Sequence, residues 1–185
     1  YMQSSIAAML DAIKKGASTT DAEVAIIPQG ASGRGSTLHV DFHTTKPIYP
    51  VNHCHLNAMV ADTQKWEQSA AFVLDTHRGV KKWVKNDRLG FFIPYRRRGL
   101  LAKYIPDFIA VTDKGENVII EIKGQANDDA DTKSKAARRW TDAVTRPGSH
   151  GTWHYLFVTD PGRLGLDLNA HTEAAWDQGE FELMT

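Results

Sequence analysis

The spacing of apolar residues along the middle of the chain follows two different periods. A helical period of about 3.6 residues occurs twice, at Trp66, Ala70, Val73 and Leu74, and at Ala136, Ala137, Trp140, Ala143 and Val144. Runs typical of strands occupy residues 80–84, 91–95, 104–111, 117–123 and 153–159. The alternation of apolar and polar residues predicts one more strand at Leu38, Val40 and Phe42. The pattern predicts an α/β fold in which helices flank a central mixed β-sheet.

Polar and turn-forming residues set the expected ends of these elements. The helix that contains Trp66 should begin near Asp62, and the helix that contains Trp140 should be capped by Asp131 or Thr132. A further helix is expected at residues 6–13, ahead of a connection rich in Gly, Ser and Thr. Residues 153–159 are apolar enough to predict a strand in the centre of the sheet.

The strands at residues 104–111 and 117–123 are close enough in sequence to form a hairpin. The residues between them favour a tight turn in which glycine supplies a positive φ. If the turn centres on Lys114, Asp107 lies opposite Glu121, because each is seven residues from it. Directly paired residues hold their Cβ atoms about 5 Å apart on one face, so the two carboxylates are expected to meet.

Lys123 should share the face of Glu121, whereas Ile122 should point into the core. Two carboxylates this close repel each other unless a divalent cation lies between them. Mg²⁺ prefers oxygen ligands and can activate a water molecule for attack on a phosphate. The alternative is an exposed hairpin surface, where a Glu and Lys pair contributes about 0–1 kcal/mol.

Charge is balanced over the whole chain but uneven along it. Lys plus Arg and Asp plus Glu number 22 each. Residues 78–103 carry nine basic side chains against Asp87, while residues 104–132 carry seven acids against Lys114 and Lys123. A basic band beside an acidic cluster suits a site that holds a polyanion and metal ions, although two solvated faces would give the same pattern.

Length and cysteine content favour a single domain in a reducing compartment. A chain of 185 residues suits one domain with its own core. The lone Cys54 excludes an internal disulfide, and residues 1–10 lack the features of a secretion signal. No apolar stretch approaches the roughly 20 residues needed to span a bilayer. A cytoplasmic location without membrane contact is therefore expected.

Several short segments occur in one order along residues 45–160. They are His55-Leu56-Asn57, Asp62-Thr63, Lys65-Trp66-Glu67-Gln68, Val84-Lys85-Asn86, Leu89-Gly90-Phe91, Ile93-Pro94-Tyr95, Tyr104-Ile105-Pro106-Asp107-Phe108 and Glu121-Ile122-Lys123-Gly124. Together they resemble the PD-(D/E)xK nucleases and, among these, the C-terminal endonuclease domain of the restriction (Res) subunit of type III restriction enzymes.

The resemblance implies a restriction-endonuclease-like sandwich and a Mg²⁺-dependent DNA endonuclease. Residues 1–185 would form one nuclease domain: an N-terminal helix and connecting segment (1–44), a catalytic core (45–160) and a C-terminal tail (161–185). Asp107, Glu121 and the Ile122 carbonyl would bind Mg²⁺, for which Mn²⁺ can substitute. Lys123 would orient the attacking water or stabilise charge on the phosphate, and Glu67 would complete the metal shell or hold the water of a second metal.

The resemblance also implies partners. Double-stranded DNA would contact Lys135 and Arg139 on the later helix, together with the basic band at Arg96, Arg97, Arg98 and Lys103. A helicase portion of the same polypeptide and a modification (methyltransferase) subunit would complete a system for phage defence. This sequence contains no Gly-x-x-x-x-Gly-Lys-Ser/Thr loop, so ATP would act only through a helicase portion that it lacks. The chain is then an excised domain or a stand-alone relative.

Two alternatives remain open: an inactive module of the same fold that binds DNA, and a nuclease of repair or recombination. Other candidate sites are weaker. His53-Cys54-His55 would place two imidazoles on one side of a strand without a second ligand pair. His150 and His154 are expected to have structural roles. Most tryptophans should anchor the core, although an exposed Trp83 could stack on a base.

Overall fold

The structure of the protein, a computed structural model, describes residues 37–60, 65–97, 99–124 and 128–176. The helix expected at residues 6–13, the cap at Asp62-Thr63 and Arg98 lie outside these ranges. The strands are β1 (Ile48–Pro50), β2 (Ala58–Val60), β3 (Val80–Lys85), β4 (Ile93–Arg97), β5 (Leu100–Tyr104), β6 (Phe108–Thr112), β7 (Asn117–Ile122) and β8 (Trp153–Val158). The helices are α1 (Lys65–Thr76), α2 (Asp128–Thr145) and α3 (Leu164–Leu168), with 3-10 turns at Thr37–His39 and Pro161–Arg163.

Four strands form a mixed central sheet in the order β3-β6-β7-β8. Strand β6 runs antiparallel to β3 and β7, while β7 and β8 are parallel. The prediction of an α/β fold with a mixed sheet is therefore confirmed. Strand β8 lies at the edge of this sheet and not at its centre. Its apolar composition is explained by contacts on both faces, since Val158 and Tyr155 belong to different core clusters.

The two faces of the sheet carry separate cores. On one face, Val118 and Ile120 pack with residues of α1 and α3. On the other face, Ile119 packs with Trp140 of α2 and with the β4–β5 hairpin, through residues such as Tyr104. The alternation along β7 thus divides its side chains between two layers. None of the described helices has the length and apolar character needed to span a bilayer.

Residues 105–107 belong to no strand and separate β5 from β6. The sequence predicts one strand over residues 104–111, but β5 ends at Tyr104 and pairs with β4, while β6 begins at Phe108 in the central sheet. Pro106 has no N–H to donate to a ladder, which favours a break at this point. Asn86 holds the break in place, because its side chain donates to the Pro106 carbonyl and its N–H donates to the Asp107 carbonyl. Asp107 is thereby placed just before β6.

Three further predictions of local structure are wrong. Leu38, Val40 and Phe42 form no strand; a 3-10 turn covers Thr37–His39, and Leu38 is 83% exposed, so it has no core to pack against. Helix α2 begins at Asp128, ahead of the expected cap, and Thr132 donates to the Asp128 carbonyl within the first turn. Trp66 is 40% exposed and is not a core anchor; it lies over Gly124, where an added Cβ would come within 3.0 Å of its ring.

Residues 161–176, expected as part of a C-terminal tail, contribute to the core. Leu164, Leu168 and Trp176 are buried against α1. The Trp176 ring packs so closely on Gly165 that an added Cβ would lie 2.4 Å from it. The Asp113 carboxylate fixes the same segment from the hairpin turn by accepting hydrogen bonds from the N–H groups of residues 173 and 174.

Asp75, near the end of α1, holds the segment that precedes β2. Its carboxylate accepts hydrogen bonds from the backbone N–H groups of Asn52 and His53 and from the indole N–H of Trp83. Burial alone would raise the pKa of this carboxyl, but these hydrogen bonds lower it. Trp83 itself is 1% exposed, so it is not available to stack on a base.

We expect Asp75→Ala to lower the free energy of unfolding by about 2 kcal/mol, because the partly buried indole N–H of Trp83 and two backbone donors would lose their acceptor. Urea denaturation followed by tryptophan fluorescence measures the change. Asp142→Ala, on the exposed side of α2, is the control and should change stability by less than about 0.5 kcal/mol. Equal stability of the two variants would contradict the assigned role of Asp75.

Candidate active site

The β6–β7 hairpin brings Asp107 and Glu121 to the same end of the sheet. Phe108 pairs with Ile120, and this register continues to Val111 and Asn117. Extending it by one residue places Asp107 opposite Glu121, as the sequence predicts. The turn at the other end contains Gly115 with φ +77°, the conformation for which glycine is suited.

Asp107 is held by the backbone of the neighbouring strand. Its Oδ2 accepts a hydrogen bond of 2.7 Å from the N–H of Ile122. Burial raises the pKa of the Asp107 carboxyl to about 6, and the negative charge of Glu67 adds to that rise. The hydrogen bond from Ile122 and the positive charge of Lys85 act in the opposite direction without cancelling it. Asp107 is therefore fixed in position but resists ionisation.

Glu121 is the second acid, and its environment is similar. Tyr104 donates a hydrogen bond of 3.0 Å to its Oε2, and the Tyr104 hydroxyl also contacts that of Tyr155 at 3.2 Å. Ser134 of α2 continues this chain with a 3.2 Å contact to Tyr155. Burial, followed by the charge of Asp107, raises the pKa of the Glu121 carboxyl to about 7. The charge of Asp107 thus opposes ionisation of Glu121.

Two lysines place positive charge beside these acids. Lys123 favours ionisation of both Asp107 and Glu121, and Lys133 of α2 favours that of Glu121. Within the described ranges, no ion pair involves the Lys123 ammonium, whereas Lys133 pairs with Asp129 at 3.2 Å. Ile122 packs against the first core, as the strand alternation predicts. The structure therefore brings together the acids and the lysine that the sequence singles out.

Glu67 of α1 is close enough for its charge to act on Asp107, and it is paired with Lys85. The Lys85 ammonium lies 2.6 Å from Glu67 Oε2, and both side chains are less than one-fifth exposed. The sequence assigns Glu67 to the metal shell, but in this arrangement its carboxylate binds an ammonium. Lys85 lies at the end of β3, opposite Phe108.

Sequence reasoning missed three residues of the site: Lys85, Tyr104 and Tyr155. Lys85 is one of several lysines in β3, and the irregular register between Val80 and Lys82 makes its direction hard to infer from alternation. The signal for Tyr104 is its position two residues before Pro106-Asp107. Tyr155 comes from a distant strand, and its sequence position gives no signal.

The basic residues assigned to DNA lie mostly on exposed surfaces around the β4–β5 hairpin and α2. Arg96 donates to the Gly99 carbonyl, Arg97 lies 3.1 Å from Asp129, and Lys103 lies over the Phe92 ring. Lys135 is paired with Asp131, and Arg139 is exposed one turn later on the same helix. Arg97 and Lys133 share Asp129, which links this basic surface to the acids.

The His53-Cys54-His55 segment does not form the expected strand. Cys54 makes only an isolated bridge to Trp83, and His55 contacts the Thr37 hydroxyl at 2.6 Å. Burial raises the pKa of the Cys54 thiol, which disfavours the reactive thiolate. Among the described residues, three ligand atoms within 4.8 Å of one another occur at Glu116, His154 and His171, and not at these residues or at the acidic site.

Comparison with protein-family models, with curated proteins and with solved structures gives no match.

The raised pKa values of Asp107 and Glu121 predict a pH-dependent stability in metal-free protein. Both values exceed those of an unfolded chain, near 3.9 for Asp and 4.3 for Glu, so the folded protein binds more protons between about pH 4 and 7. Stability should therefore fall as pH rises through this window. Glu121→Gln removes one charge of the pair, and its melting temperature should fall less than that of the wild type between pH 5 and pH 8.

Thermal melts in the presence of EDTA measure this difference. Glu173→Gln, which changes an exposed acid away from the site, is the matched control and should behave as the wild type. The same loss of melting temperature in Glu121→Gln and wild-type protein would show that folding does not raise the pKa of Glu121.

Proposed function

We propose that this domain is a metal-dependent DNA endonuclease with the restriction-endonuclease-like fold of the PD-(D/E)xK nucleases. The observation that carries the proposal is the convergence of Asp107, Glu121 and Lys123 on one hairpin, with both acids buried enough to raise their pKa values. The order of elements supports it, since the hairpin with the acids is followed by a helix and a parallel strand.

The donor set fits a divalent cation such as Mg²⁺ or Mn²⁺. Asp107 and Glu121 offer half-buried oxygen ligands. A bound cation would reduce the repulsion between the two carboxylates. The Ile122 carbonyl is proposed as a third ligand, because the N–H of the same residue already holds Asp107. When bound, the ion would supply Lewis acidity and lower the pKa of a water molecule.

Lys123 and Tyr104 would act on the phosphate and on the Glu121 carboxylate, respectively. The Lys123 ammonium, which has no described ion-pair partner, would donate hydrogen bonds to a phosphate oxygen or orient the attacking water. Tyr104 would keep the Glu121 carboxylate in one orientation through its hydrogen bond.

The negative charge of Glu67 would raise the pKa of Asp107. Lys85 would reduce this effect, because its ammonium lies 2.6 Å from Glu67 Oε2. Direct ligation by Glu67 would require this ion pair to open. The structure therefore favours a positioning role for the Glu67 and Lys85 pair over the metal-ligand role suggested by sequence.

DNA would be held by the exposed basic side chains of the β4–β5 hairpin and α2. Arg96 and Lys103 are exposed on neighbouring strands of the hairpin, and Lys135 and Arg139 follow on α2. Such residues neutralise phosphates without reading sequence. As part of a type III restriction system, the domain would make the cut, while a helicase portion and a modification subunit would determine where it acts.

We expect the purified chain to nick supercoiled plasmid DNA in Mg²⁺ or Mn²⁺ without ATP. Asp107→Ala, Glu121→Ala and Lys123→Ala should each reduce the rate on the order of 100-fold or more, because each removes a group that acts on the reacting phosphate or its metal. Agarose gels report nicking, and circular dichroism reports the fold of each variant.

Lys114→Ala, at the opposite end of the same hairpin, is the matched control and should cleave at the wild-type rate. Wild-type nicking by Asp107→Ala would exclude the assigned site. DNA binding without cleavage in either metal would favour the alternative of an inactive binding module, and strict dependence on ATP would contradict a motor-independent nuclease.

The proposed DNA surface predicts a change in salt dependence. Arg96→Ala and Lys103→Ala should each weaken binding of a 30-base-pair duplex and lower the slope of log affinity against log salt by about 0.9 per lost phosphate contact. Fluorescence anisotropy over a series of NaCl concentrations measures the slope. Loss of affinity in Lys114→Ala but not in Arg96→Ala would place the DNA on a different surface.

A further inference from the structure

A second cluster of ionisable side chains lies at the turn end of the β6–β7 hairpin. Glu116 precedes β7, His154 lies in β8, and His171 follows α3. One ligand atom from each lies within 4.8 Å of the other two. His154 Nε2 is 2.8 Å from Glu116 Oε2, and the two imidazole rings have centroids 4.2 Å apart. Three separate segments of the chain thus direct metal-ligating groups to one point.

The cluster is distinct from the acidic site. Glu116 and Glu121 are five residues apart on or beside one strand, which corresponds to about 17 Å at the usual rise of a strand. The ligands also differ in kind: two imidazoles and one carboxylate, against the oxygen ligands of Asp107 and Glu121. Imidazole nitrogen favours Zn²⁺ and related transition metals, whereas Mg²⁺ favours oxygen.

We propose that Glu116, His154 and His171 form a binding site for a transition-metal ion of the Zn²⁺ type. All three side chains are half-buried, so they are partly ordered by packing while one side of the cluster stays open to water. Two histidines and one glutamate give three protein ligands and leave the fourth position of a tetrahedral ion for water.

The contact between His154 and Glu116 marks where the ion would lie. His154 Nε2 is 2.8 Å from Glu116 Oε2, so an ion bound by both groups would replace this contact. The nearby Lys114 carries a positive charge that opposes the metal. The Glu116 carboxylate is the charge that offsets it.

Metal binding would join the C-terminal part of the core to the sheet. His171 belongs to the segment that Asp113 already ties to the hairpin turn through residues 173 and 174. An ion shared by Glu116, His154 and His171 would add a second link between the same segments. The metal should therefore stabilise the folded protein, which it binds in preference to the unfolded chain.

Isothermal titration of the tag-free, EDTA-treated chain with ZnCl₂ tests this site. The wild type should bind one ion, and Glu116→Gln, His154→Ala and His171→Ala should each lose at least tenfold in affinity. Co²⁺ should give a visible absorption band in the wild type that is lost in the same variants. Zn²⁺ should also raise the melting temperature of the wild type but not of His171→Ala.

His150→Ala removes an exposed histidine near β8 and should bind Zn²⁺ as the wild type does. Glu121→Gln should also keep this binding, so failure of the nuclease proposal leaves this one intact. Absence of saturable Zn²⁺ binding by the wild type would overturn the assignment. Wild-type affinity in the three ligand variants, or loss of the ion in Glu121→Gln alone, would do the same. Glu116→Gln keeps the shape of the site if a histidine variant fails to fold.

Discussion

The hydrogen bond from the Ile122 N–H to Asp107 is the interaction on which the acidic site depends. It closes the open end of the β6–β7 hairpin just beyond the last paired residues and fixes Asp107 where the backbone leaves the ladder. Glu121 is then held opposite a carboxylate that cannot swing away. Burial raises the pKa values of both groups, and the negative charge of Asp107 adds to the rise at Glu121.

Part of this arrangement could be predicted from sequence because it is local. Asp107 and Glu121 belong to one hairpin, so a turn centred on Lys114 determines which residues face each other without any long-range information. Alternation along β7 likewise assigns Ile122 to the core. The edge position of β8 could not be predicted in the same way, because burial on both faces gives an edge strand the composition of a central one.

The contribution of Lys85 depends on tertiary structure that the sequence does not reveal. Its ammonium meets Glu67 only because α1 packs across the end of β3, and the irregular register in that strand obscures which lysine points there. The resemblance that singles out Glu67 gives no indication that Lys85 is its partner. The same limit applies to Tyr155, whose hydroxyl reaches Tyr104 from a different strand. Neighbours within one hairpin can be inferred from sequence spacing, whereas neighbours brought together by packing of distant segments can be identified only from the structure.

The hairpin also explains why the two ends of β7 have different chemistry. At one end, Asp107 and Glu121 are partly buried, so a cation or a proton is needed to compensate their charge. At the other end, the turn is nearer to solvent, and Glu116 meets imidazoles from β8 and from the segment after α3. Imidazoles can be neutral at physiological pH and so can be clustered at little electrostatic cost. The β6–β7 hairpin thus carries two carboxylates at one end and, at the other, a single carboxylate that meets imidazoles from two other parts of the chain. The two proposed sites would therefore differ in the class of metal that each binds.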